Sequence, residues 1–307
     1  MKTKILVLYY TQTGQLQDAV NRFTRHLSND AAFEVYMERL ELQEPFPFPW
    51  SAFRFFNAFP DTFQQKPLPL KACSSRLEED WDVVILAYQP WFLTPSPAMA
   101  SFLQSAPAAK LLLGKKVVTL TASRNMWLGA QEKVKAHLHR LQATLIGNVA
   151  LVDNAPNVVS LITILRWLLW GKKTATSLLP AAGVADADLE KAVVYGDILK
   201  NAITNNRFEW MQEQLNQAGA VTIKPELVLM EARGKRAFGI WSKFIGGAAN
   251  GSMQRAIRVY VFMFLLPTAV LILSPLLMLI SFLMLRLKRE KLDQEVAYFS
   301  QNSWRGN

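Results

Sequence analysis

Thr11-Gln12-Thr13-Gly14-Gln15-Leu16 is the hexapeptide best suited to chemistry in this chain. It follows a short apolar run and opens a helical pattern. A phosphate placed there would meet backbone N–H groups of the turn and of the helix N-terminus, together with threonine hydroxyls. Gly14 permits close backbone approach. The same residues would also serve a plain strand-to-helix turn. No lysine accompanies the turn, so it is no Walker loop, and the GxGxxG spacing of a dinucleotide fingerprint is absent. Two further loops set aromatic rings beside polar groups after apolar runs: Tyr88-Gln89-Pro90-Trp91-Phe92 and Ser123-Arg124-Asn125-Met126-Trp127. Core or rim packing is the other reading of Trp91 and Trp127. Cys73, the one cysteine, lies in a polar KACSSR stretch, which excludes a disulfide framework, a CxxC pair and a thiolate metal site. His26, His137 and His139 have no metal-ligand spacing with nearby carboxylates and are expected on helix surfaces.

The elements that must position these loops alternate. Lys4–Tyr10, Phe33–Leu40, Val83–Tyr88, Lys116–Ala122 and Thr144–Val152 are apolar runs of the kind that form doubly buried parallel strands. Helical patterns lie between them, at Gln15–Leu27, around Ala98–Gln104 and at Leu128–Leu141, and Asp186–Asn205 and Phe208–Ala218 follow. The alternation predicts a five-stranded parallel sheet covered on both faces. Two stretches break the pattern. Glu44–Leu70, here an insert 44–70, is a long loop dense in Phe and Pro, and an apolar insert 154–185 contains VVSLITILRWLLW at Val158–Trp170. Val221–Met230 has strand character, broken by Pro225.

Charge is unevenly spread. Residues 1–223 hold 22 Lys+Arg against 19 Asp+Glu, a net of +3, and residues 224–307 hold 12 against 5, a net of +7. The excess brackets Val259–Leu285, which has no charged residue and as a helix would be about 40 Å long, enough to cross a hydrocarbon core. A membrane-proximal segment is built this way, and no nucleic-acid motif accompanies the charge, so nucleic acid is not expected as a partner. The expected organisation is an α/β domain over 1–223, a basic juxtamembrane linker 224–258, a transmembrane or membrane-inserted segment 259–285 and a short polar tail 286–307. A kinked single span and a re-entrant hairpin both remain open, because both flanks are basic. No cleaved signal peptide is expected at the N-terminus, and the catalytic domain is expected to be cytoplasmic and membrane-anchored.

At Thr11, Thr13, Gly14 and Gln15 the chain resembles the flavodoxin family, whose first loop reads roughly Thr/Ser-x-Thr-Gly-x-Thr and wraps the phosphate of FMN; Leu16 departs from that pattern. The resemblance implies a flavodoxin-like doubly wound sheet, with the isoalloxazine between the loops after the third and fourth strands. It assigns Gln89, Pro90, Trp91, Phe92, Ser123, Asn125, Met126 and Trp127 to cofactor contact. FMN is expected over FAD, since one phosphate-cradling turn is visible.

The Pro45–Trp50 and Phe56–Pro60 stretches, both loops, Gly147–Asp153 and the apolar segment together look like the flavodoxin-like proteins known as dialkylresorcinol condensing enzymes. Such proteins accompany a ketosynthase. The resemblance implies an FMN-dependent oxidoreductase that aromatises a lipophilic dialkyl cyclohexanedione. Arg124 would stabilise an enolate oxygen or the negative charge of reduced flavin, and Tyr88 would hydrogen-bond the substrate. Condensation itself would want an activated thiol with His partners, which Cys73 lacks. Two other readings stand beside this one: a membrane-bound NAD(P)H- or quinone-linked flavin reductase or electron carrier, and a non-catalytic scaffold that holds a ketosynthase at the membrane.

Overall fold

The computed structural model describes residues 2–266, 268 and 289–306. Its strands are β1 (Thr3–Tyr9), β2 (Phe33–Arg39), β3 (Val83–Tyr88), a short antiparallel hairpin β4–β5 (Pro90–Trp91 and Thr94–Pro95), β6 (Lys116–Ser123) and β7 (Thr144–Val152). All but the hairpin join one parallel sheet in the order β2-β1-β3-β6-β7. Counting the sheet strands alone, this is the 2-1-3-4-5 order of flavodoxin-like doubly wound folds, with its direction of winding reversed between β1 and β3. The five strands lie where the apolar runs predict them.

Side chains alternate across β1, so Ile5, Val7 and Tyr9 enter one core and Leu6, Leu8 and Tyr10 the other. The first core lies under α1 (Gln15–Phe23), α8 (Asp186–Thr204) and α9 (Met211–Gln217). The second lies under α4 (Pro97–Leu103), α5 (Ala106–Leu112) and α6 (Leu128–Arg140). Remaining helices are α2 (Arg25–Ser28), α3 (Ala52–Phe63), α7 (Asn157–Trp170), α10 (Pro225–Gly246), α11 (253–266) and α12 (Arg289–Phe299).

Several expectations change. The aromatic insert holds a helix, α3, capped by Ser51, whose hydroxyl accepts from the Arg54 N–H at 3.3 Å. Val221–Met230 is not a strand: Pro225 is the first residue of α10, where its missing N–H costs no helical bond. The segment expected as a basic linker is therefore mostly a helix packed on α3 and α6. Beyond it, Val259 and Phe262 are buried with Phe56, Phe59 and Ile245, so 259–266 belongs to the folded body. The segment expected as a polar tail contains α12, whose Leu292 is buried and whose Tyr298 hydroxyl donates to Glu132 at 2.7 Å. Among the described residues no helix is long and apolar enough to cross a membrane. Of the expected span, Pro267 and residues 269–285 lie outside the described residues.

Candidate functional site

The loops at the carboxyl ends of β1, β3, β6 and β7 meet at one edge of the sheet. In the first, the Gly14 N–H donates to Thr11 Oγ1 at 3.0 Å, and Gly14 takes φ +86° before α1. The first-turn N–H groups of α1 point out of the helix without intrahelical acceptors. Thr13 Oγ1 is buried and has no hydrogen-bond partner among the described residues. A buried hydroxyl next to free N–H donors is costly unless something accepts from it. This turn therefore fits a phosphate.

Gln15 and Leu16 do different work from that expected. The Gln15 carboxamide clamps the backbone of Val184, donating to its carbonyl at 2.9 Å and accepting from its N–H at 3.0 Å. Leu16 is wholly in the core. Only their backbone can face a ligand. Gln12, in contrast, ties three segments together. Its N–H donates to Gln89 Oε1 at 3.3 Å, and its amide donates to the Phe46 and Pro47 carbonyls at 3.3 and 3.2 Å. The aromatic insert thus closes over the first loop.

In the second loop Phe92 and Leu93 take φ of +49° and +62°, uncommon for such residues and held there by tertiary packing. The twist sends the two rings of Trp91 and Phe92 to different places. Trp91 lies 5.3 Å from Phe46, 5.7 Å from Trp50 and 6.1 Å from Tyr10. Phe92 packs away from them, on Phe55 and Phe59 at 5.0 and 5.2 Å. Pro90 pairs with Pro95 across the hairpin. Tyr88 is fully enclosed and donates to Gln131 Oε1 at 2.5 Å. It cannot reach a substrate in the crevice, because the last inward position of β3 points under α6.

In the third loop Ser123 Oγ and Asn125 Oδ1 are buried without partners among the described residues. Arg124 Nη1 donates to the Asn157 carbonyl at 2.9 Å and to its Oδ1 at 2.7 Å; Asn125 donates to the same Oδ1 at 3.0 Å. Burial holds the Arg124 guanidinium below its ordinary value, with Asp153 acting the other way. Met126 Sδ sits 3.7 Å from Arg124 Nη2. Trp127 is buried with Leu128, Ala150 and Val228, and so belongs to a core cluster, the packing alternative raised for it above.

α7 walls the crevice on its other side. The Trp50 N–H donates to the Leu168 carbonyl at 2.8 Å, joining the insert to this helix. Arg166 of α7 has a buried Nη1 without a partner among the described residues, as does the indole N–H of Trp50. Sequence reading passed over Arg166 as one of three interruptions of an apolar run, with Ser160 and Thr163; its being the one charge in that run was the signal. Behind Trp50 lies a cavity of about 440 Å³ whose walls include Phe46, Pro47, Arg54, Asn57 and Leu68.

Glu231 was also missed, since its segment read as a linker. It is 5% exposed and accepts from the N–H groups of Gly129 at 2.5 Å and Leu128 at 3.3 Å, capping α6 from α10. Burial pushes its carboxyl up to about 7, against the pull of those two N–H groups. Between pH 4.5 and about 7 the folded chain then binds more protons than the unfolded one. The contribution to stability is full below pH 4.5 and is lost as pH rises through about 7, by on the order of 3 kcal/mol. Glu231→Gln should flatten that decline, which thermal melts across the range will show, although its single carbonyl oxygen can accept from only one of the two N–H groups. A decline with pH as steep as that of the unaltered protein would contradict the assignment.

No family model matches the chain, and no curated protein matches it. Several solved structures do. One, a flavoprotein in complex with FMN from Lactobacillus acidophilus NCFM, is 13% identical over 48% of this chain and 93% of its own, with a TM-score of 0.37. A putative flavoprotein from Bacteroides eggerthii DSM 20697 is 18% identical over 49% and 89%, with a TM-score of 0.39. Another from Bacteroides uniformis ATCC 8492 is 15% identical over 55% and 99%, with a TM-score of 0.37. Likenesses this distant carry no weight beside the strand order, on which the fold assignment rests.

Proposed function

We propose that the chain is an FMN-dependent oxidoreductase acting on a lipophilic cyclic substrate, held at a membrane with its folded body in the cytoplasm. The observation that carries this reading is the set of buried, unpartnered polar atoms around the switch-point crevice: Thr13 Oγ1, Ser123 Oγ and Asn125 Oδ1. Thr13 and the N–H groups of the first turn of α1 would hold the phosphate, and Ser123 and Asn125 would meet the polar edge of the ring system. Bound FMN would supply a hydride acceptor.

The protein's own part is to hold an apolar ring and exclude water. Trp91, Trp50 and Phe46 form an aromatic wall, and the cavity behind Trp50 has room for an alkyl substituent. Aromatisation of a dialkyl cyclohexane-1,3-dione removes one hydride and one proton from the ring and gives a resorcinol. Arg124, a cation at the crevice, would favour the enolate form. A ketosynthase would supply the dione.

The test is to purify the full chain in detergent, release the cofactor by heat, and run it against FMN and FAD standards. FAD, or no flavin after reconstitution, overturns the cofactor. The flavin-loaded protein should then bleach as an authentic dione is converted to resorcinol. NAD(P)H oxidation with no conversion of dione would favour the reductase reading. Arg124→Ala should slow conversion about tenfold or more while flavin occupancy stays near wild type, as expected for loss of one charge-stabilising contact. Equal loss of both would return Arg124 to holding Asn157 alone.

A further inference from the structure

Two observations outside the crevice fall on the same part of the molecule. α10 and α11 pack on α3 through Ile245, Val259 and Phe262, yet among the described residues nothing covers another face of each. On α10 Ile240 and Phe244 are exposed; on α11 Ile257, Tyr260 and Phe264 are, at the spacing of one helical face. Arg236 and Lys243 are exposed on α10 at positions that share the face of Ile240 and Phe244. Arg258 of α11 lies over the Phe244 ring at 4.7 Å and donates to the Phe244 carbonyl, joining the two faces. Apolar residues ringed by cations in this way suit the boundary between acyl chains and anionic headgroups.

The second observation is that α11 and α12 are both held to the body. Phe262 stacks on Phe59 at 4.6 Å, so α11 is fixed to the body. On the far side, α12 is held to the same body. Tyr298 donates to Glu132, the Asn216 amide donates to the Ser300 carbonyl at 2.9 Å, and Trp304 lies 4.7 Å from His139. Twenty-two residues separate Leu266 from Arg289. Crossing a hydrocarbon core of about 30 Å and coming back needs roughly 40 helical residues. An extended chain could cover the distance, but its backbone groups would be left unpaired in lipid.

We propose that the α10–α11 face rests on the anionic surface of one membrane leaflet and that the chain is monotopic, with the α/β body and α12 on the same side. The inference rests on the membrane location proposed above. It puts α11 and α12, both packed on the body, on the same side of the membrane.

The experiment uses the full chain in native membranes, in a Cys73→Ser background. Glu78→Cys marks the body and Ser303→Cys the region after α12; both positions are exposed. A membrane-impermeant maleimide is applied to inside-out vesicles and to spheroplasts. Both sites should label in the same preparation and be protected in the other. Labelling from opposite sides overturns the monotopic arrangement. Recovery of the protein in the soluble fraction of a low-salt lysate overturns the membrane location itself.

For the face, a nitroxide at Ile257→Cys is compared with one at Glu78→Cys in vesicles of phosphatidylcholine and phosphatidylglycerol. Ile257 should gain oxygen accessibility and lose access to a water-soluble nickel complex, while Glu78 stays water-like. Water-like behaviour at Ile257, or exclusion of both reagents as a protein partner or a second copy would cause, overturns the face.

Discussion

Thr13→Val combined with Gly14→Ala should give a folded protein that purifies without colour. Thr13 Oγ1 is the buried hydroxyl of the first turn that neither donates nor accepts inside the described protein, whereas Thr11 Oγ1 accepts from the Gly14 N–H and keeps only its O–H to offer. A hydrogen bond to a charged group contributes about 1.5–3 kcal/mol, so its loss weakens binding roughly tenfold to a hundredfold. Gly14 sits at φ +86°, where an alanine costs about 1–2 kcal/mol or shifts the turn. A shift would re-aim the N–H groups at the start of α1 and compound the loss. The ratio of flavin to protein absorbance measures occupancy, and circular dichroism checks the fold. Wild-type occupancy in the double variant would place the phosphate elsewhere.

Truncation before Arg255 should yield an aggregating or poorly packed protein. The charge pattern suggests that such a cut would free an intact α/β body, and the structure shows otherwise. Arg255 is 3% exposed and donates to Asp61 at 2.6 Å, to Asn57 Oδ1 at 2.8 Å and to the Asn57 carbonyl at 3.0 Å. Val259 and Phe262 cover Phe56 and Phe59 of α3. Each fully buried side chain of this size contributes about 1.5–3 kcal/mol. Removing both, with the Arg255 network and α12, takes away an amount comparable with the roughly 5–15 kcal/mol that stabilises a typical domain. Size-exclusion chromatography and a thermal melt decide the matter. A monomer that melts like the full chain would show that α11 is not integral to the fold.

The parallel sheet was legible because doubly buried strands are written as uninterrupted apolar runs, and β3 and β7 begin and end where Val83–Tyr88 and Thr144–Val152 do. The first turn was legible for a local reason: its chemistry is carried by adjacent residues. α3 was not. Its sequence, AFRFFNAFPDTF, has Pro60 inside the helix and little intrinsic preference for one, and it is helical because Phe56 and Phe59 find cover from α10 and α11. Glu231 was illegible for the same kind of reason. Its partners, Leu128 and Gly129, are about a hundred residues away in sequence, and no local pattern announces that pairing. Tyr88 was placed in the crevice because it ends a strand, yet the side of the sheet it faces is set by alternation from Val83 onward, and that side lies beneath α6.

The distance along the chain between α3 and its cover has a consequence for how the protein is made. Asn57 and Arg255 are 198 residues apart in sequence. At a synthesis rate of about 5–20 residues per second, roughly 10 to 40 s pass between the translation of the first and of the second. During most of that interval the Phe-rich face of α3 has Phe92 against it but lacks the cover of α10 and α11. Yield in a heterologous host should therefore depend on what shields that face on the ribosome, and slower translation should lower it unless a holding chaperone is present.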